Sequence, residues 1–181
     1  MSPRYQARVK GIASKKADMA RTEILSRFNN HAVTKEIESG PTSKNISGLL
    51  GGYGNLFSYI GFHHNARPIS LLRKLLEQIR VLKIDRTFKN KGYLFVQNIR
   101  IRYPSQKEVM ALSQMPWEPK SWVYGIEKGI DGFGYYMNTR FRQGRSKHGL
   151  QAEHRVNDIW FKTTKYLPSF LLEGLKILKR K

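Results

Sequence analysis

Apolar positions along the chain follow two periodicities. From Ser14 to Glu38, Met19, Ala20, Ile24, Phe28, Val33 and Ile37 approximate one helical stripe. Ser14 is placed to cap its start, Asn29-Asn30 to break or kink it, and Gly40-Pro41 to end it. A cleaner stripe follows Pro68, with Ile69, Leu72, Leu75, Leu76, Ile79 and Leu82 at i, i+3, i+4 spacing. From Lys83 to Tyr103 the pattern alternates, which predicts a β-hairpin. Ile84 and Phe88 lie in its first arm, and Lys89-Asn90-Lys91-Gly92 supplies the turn. In the second arm, Tyr93 to Tyr103, Phe95, Ile99 and Ile101 face one way, and Val96 and Asn98 the other. Ser105 with Glu108 three residues on is a capping box, predicting a short helix through Leu112. Ser121 precedes Trp122, Ile126, Ile130, Phe133 and Met137 at helical spacing. Gln151 to Lys162 reads as a last strand, and Pro168 opens a C-terminal helix with Phe170, Leu171, Leu175 and Leu178.

One stretch fits neither period. Asn45 to Phe62 contains no charged residue and holds Gly48, Gly51, Gly52, Gly54 and Gly61. Gly51-Gly52-Tyr53-Gly54 reads as a tight structural turn, and Asn55 to Phe62, rich in aromatic and branched residues, as a buried strand. Residues 1–13 show little periodicity and read as an extended basic arm or edge strand. The expected architecture is therefore a basic N-terminal arm (1–13) followed by one α+β domain (14–181). A small antiparallel sheet packs with several helices, and a basic loop occupies 140–149.

Charge changes the picture more than length does. In 181 residues there are 33 Lys and Arg against 13 Asp and Glu, a formal net charge of +20. A hydrophobic content of 40% is too high for a disordered polyelectrolyte, so the charge must cover a folded core. Such a surface points to a polyanion or an acidic partner. The residues proposed for that contact are Arg4, Arg8 and Lys10 of the arm and Arg140, Arg142, Arg145 and Lys147 of the loop. No cysteine is present, which excludes disulfides and thiolate metal sites. The first thirty residues lack the apolar core of a signal peptide, and no run approaches the length of a membrane span, so a soluble chain without membrane contact is expected.

Candidate chemistry is sparse. Gly51-Gly52-Tyr53-Gly54 lacks the Lys-Ser/Thr of a phosphate-binding loop, and its echo of a potassium filter has no membrane helices around it. Tyr59-Ile60-Gly61 matches half of the GIY-YIG nuclease signature, without the other half upstream. His63-His64 stands apart from any Glu or Asp in sequence, and a solvated loop explains it better than a metal site. The pattern predicts no catalytic, cofactor or metal residues and no cofactor. Trp117, between prolines, reads as a core or interface anchor.

Several segments resemble small neck or tail-completion proteins of tailed bacteriophages, the head–tail connectors. They are His31 to Ile37 with Gly40-Pro41, Asn45-Ile46-Ser47-Gly48, Gly52 to Phe62, Met115 to Pro119, Ser121-Trp122-Val123 and Gly125 to Ile130. The resemblance implies a helix-plus-sheet virion protein without catalysis, assembled in the host cytoplasm as a homo-oligomeric ring. Other neck and tail proteins would be its neighbours, with non-specific contact to packaged DNA. It carries no functional residues over. The alternative is a sequence-nonspecific nucleic-acid-binding protein, ribosome- or nucleoid-associated. A nuclease using scattered His and acidic residues ranks third.

Overall fold

A computed structural model of the chain describes residues 3–50, 54–88, 95–116, 119–128, 135–138, 150–155 and 162–179. Its layout is α+β. Helices α1 (Pro3–Asn30), α2 (Ala32–Glu38), α3 (Leu56–Ile60) and α4 (Pro68–Glu77) come first. The hairpin strands β1 (Arg80–Phe88) and β2 (Phe95–Arg102) follow, then α5 (Gln106–Leu112) and α6 (Trp122–Lys128). A second strand pair, β3 (Tyr135–Asn138) and β4 (Leu150–Arg155), precedes the closing helix α7 (Leu167–Lys179). Both strand pairs are antiparallel.

Helix α1 overturns the extended N-terminal arm. It begins at Pro3, and Ser14 lies inside it instead of capping it. Ala13, Ala17, Ala20, Ile24 and Phe28 are all buried, one residue per turn along one face. Three of these are alanines, which carry little hydrophobic weight in a sequence and so hide the period. Met19 faces solvent, 55% exposed, and is not part of the stripe. The break at Asn29-Asn30 is present: α1 stops there, and the His31 imidazole accepts from the Val33 N–H (3.3 Å) to start α2.

The uncharged stretch also differs from expectation, because Leu56–Ile60 is a helix and not a strand. Asn55 is extended (φ −145°, ψ 159°), and its Oδ1 accepts from the Ser58 N–H at 2.9 Å. Gly61 then takes the left-handed conformation (φ 81°), and the Phe62 N–H turns back to the Phe57 carbonyl at 3.2 Å. Leu56, Phe57, Ser58, Tyr59 and Ile60 are all buried, so the helix is apolar all round and gives no amphipathic signal.

The core gathers around this short helix. Ile24, Phe28, Val33, Ile37, Leu50, Leu72, Leu76, Trp122, Val123, Ile126 and Tyr166 join its side chains in one cluster. Helix α4 presents Ile69, Leu72, Leu75 and Leu76 to it and ends at Glu77. Leu82 therefore belongs to β1, 57% exposed, and not to the helical stripe. It sits at a bulge where the register slips between Val81↔Ile101 and Lys83↔Arg100. The capping box of α5 is formed as predicted from Ser105 and Glu108. Met137 lies in β3 and not on a helix continuing from Trp122.

Candidate assembly interface

Polar groups near the uncharged stretch are turned inward and used as scaffold. The Glu36 carboxylate is buried, accepting from the Ser47 N–H (2.6 Å) and the Leu56 N–H (2.7 Å). It ties the middle of the 39–55 connection and the start of α3 back to α2. The Asn55 amide donates to the Pro41 and Ser43 carbonyls at 2.8 and 3.0 Å. Glu127, on α6, does the same for α7: its Oε1 accepts from the Tyr166 N–H (2.6 Å) and the Ser169 N–H (2.9 Å). Sequence spacing gives no sign of these long-range caps, since the partners are 11, 20, 39 and 42 residues away.

Tyr166 is the hub of the aromatic core. Its ring centroid lies 5.0 Å from His31, 5.8 Å from Phe28, 6.1 Å from Trp122 and 6.2 Å from Phe170. Burial pushes its phenol pKa above the usual range. Burial also depresses the pKa of His31, against a smaller opposing hydrogen bond to the Lys165 backbone.

The surface is organised differently. At the N-terminal half of α1, the α7 end and strand β2 converge on an apolar groove of about 260 Å3. Val9, Ile12 and Ala13 line it from α1, Ile99 and Ile101 from β2, and Leu178 from α7. Lys16 completes its wall. Ile12 is 51% exposed and Ile99 40%. Arg8, Lys10 and Lys15 are exposed on the same half of α1, and Lys176 and Lys179 on α7. The chain has no acidic residue before Asp18.

Five carboxylates among the described residues pair with arginines. Asp18 pairs with Arg21 (2.8 Å), and Glu23 with Arg27 (2.7 Å), which also meets Glu173. Glu38 pairs with Arg73 (2.8 Å), and Glu108 with Arg102. The Arg102 guanidinium and then the Ser105 backbone and hydroxyl hold the Glu108 carboxyl pKa down at about 2.

Of the residues named from sequence, Arg8 and Lys10 are exposed on either side of groove-lining Val9, on a helix and not an arm. Arg4 lies in the first turns of the same helix. Gly54 is exposed with φ +64°, a conformation that favours glycine. Gly51, Gly52, Tyr53, Trp117, Arg140, Arg142, Arg145 and Lys147 fall outside the described residues, as does the hairpin turn at 89–92. Sequence reasoning missed Ile12, Ile99, Ile101 and Leu178. The alternation of β2 marked Ile99 and Ile101 as one face, but not that α1 extends far enough to meet them. His63 and His64 stack with ring centroids 4.2 Å apart. Among the described residues no group of three or more His, Asp or Glu converges. No described helix is long and apolar enough to cross a membrane. Comparison with protein families, curated proteins and solved structures finds no match to this chain.

Proposed function

We propose that this chain is a non-enzymatic structural subunit of a tailed-phage virion, a ring-forming neck or tail-completion protein that joins head and tail. The resemblance of its central segments to such proteins motivates the reading. The observation that carries it is the division of the molecule. Glu36 of α2 and Asn55 of the junction segment serve the backbone, while apolar Ile12, Leu82 and Ile99 are left on the outside. Exposed apolar positions beside a groove suit a subunit whose surface is covered by neighbours. A ring needs one face to meet a different face of the next copy.

Sequence-nonspecific nucleic-acid binding is the second reading, favoured by the acid-free opening with exposed Arg8, Lys10 and Lys15. Mass photometry and negative-stain imaging of the purified chain separate the two. A closed particle at an integer multiple of 21.1 kDa, formed without nucleic acid, supports the virion reading. A monomer at every concentration, binding DNA or RNA with an affinity that falls steeply with salt, supports the second.

A further inference from the structure

We infer that the groove between α1, β2 and α7 receives an acidic amphipathic segment of a different protein. The lining sets the first requirement. Val9, Ile12, Ile99, Ile101 and Leu178 offer aliphatic contact and no hydrogen-bonding group, so the inserted side chains are apolar. The groove's 260 Å3 exceeds the roughly 150 Å3 that holds a benzene ring in a protein interior, so it has room for a leucine- or phenylalanine-sized side chain.

Charge sets the second requirement. Lys16 is in the wall, and Arg8, Lys15 and Lys179, each next in sequence to a lining residue, are exposed. Carboxylates flanking the inserted side chains complement this rim. Charge also selects against a second copy as occupant. The chain is +20, and Asp18, Glu23, Glu38, Glu108 and Glu173 already face arginines of their own molecule. A nucleic acid would complement the basic rim but not the aliphatic lining. The inference goes beyond ring formation, and particle mass and groove occupancy are measured separately, so either can fail alone.

The test uses the full chain and a synthetic helical peptide with leucines on one face and glutamates on the other. A polyglutamate peptide of equal charge and a duplex DNA oligonucleotide serve as comparisons. Binding is followed by fluorescence anisotropy at about 0.15 M salt. The amphipathic peptide should bind best, and the double substitution Ile12→Ser/Ile99→Ser should weaken it roughly tenfold or more while leaving polyglutamate and DNA unaffected. Because the chain has no cysteine, Ile12→Cys gives a single labelling site. An environment-sensitive dye there should shift to the blue on adding the peptide, and one at Leu71→Cys on α4 should not. This arm stands even if the double variant fails to fold. Equal affinity for polyglutamate, tighter DNA binding indifferent to the double variant, no peptide binding, or an unchanged dye at position 12 would each overturn the inference.

Discussion

The hydroxyls of Thr34 and Tyr166 meet at 2.7 Å with both residues wholly buried, tying α2 to the start of α7 across 132 positions of sequence. Removing either partner strands the other hydroxyl away from water. Thr34→Val and Tyr166→Phe should each cost about 1–3 kcal/mol. The double variant should cost clearly less than the sum, because the orphan is gone. Urea midpoints of the four proteins in the cycle measure the coupling, and additive losses would mean that the two hydroxyls act separately.

Glu36 answers two backbone amides with one carboxylate. Glu36→Gln keeps shape and volume but turns an –NH2 toward an N–H donor. A loss of about 1.5–3 kcal/mol is expected, in the range for hydrogen bonds to charged groups. Hydrogen exchange should rise first at the Ser47 and Leu56 amides if this carboxylate holds the α2–α3 segment.

Two glycines in helices should respond oppositely to alanine. At Gly174 a Cβ would lie 2.5 Å from Ile24 Cδ1 and 2.7 Å from the Tyr103 hydroxyl, which itself donates to the Leu171 carbonyl. Gly174→Ala should destabilise by about 1–3 kcal/mol through overpacking. At Gly11 nothing lies within 4 Å of the added Cβ. Gly11→Ala should stabilise by about 0.5–1 kcal/mol, since glycine is a poor helix former. Thermal midpoints moving apart check both, and a neutral Gly174→Ala would mean that α1 and α7 are more loosely packed than described.

Acid should unfold the chain in two windows. His31 caps α2 as a neutral imidazole, and burial lowers its pKa from 6.5. The unfolded chain therefore takes up the proton first. Stability is fully present above pH 6.5 and lost as pH falls through the lower folded value. His31→Asn keeps a capping acceptor that does not titrate, so it should flatten this part of the profile. Glu108, held at about 2 against an ordinary 4.5, contributes stability above pH 4.5 that is lost as pH falls toward 2. Glu108→Gln should remove that second dependence. Denaturant midpoints across pH 2 to 8 resolve both.

Legibility in the sequence followed the kind of signal each element carried. Helix α4, the hairpin and the α5 capping box depend on leucine spacing, alternation and local capping, and all three are present, although α4 stops at Glu77 and β1 begins at Arg80, taking Leu82 from the helical stripe. Helix α3 was hidden because Leu56 to Ile60 is apolar on every side, and a short apolar run does not distinguish strand from buried helix. Asn55 and Gly61, six residues apart, were the caps that mark it. The start of α1 was hidden by its alanines, and with it the groove, which exists only where Ile12 and Ile99 come together. The caps from Glu36 and Glu127 are tertiary and leave no local trace.

Gly174 has a geometric consequence beyond stability. It sits against Ile24, near one end of a rod that spans 28 residues, roughly 42 Å at helical rise. Arg8 lies roughly 24 Å along the rod from that contact. A tilt of about 5° there would swing the basic tip by roughly 2 Å, enough to break or restore register with a docked neighbour. A substitution at Gly174 that tilts the helix would therefore move an interface at the tip without touching it.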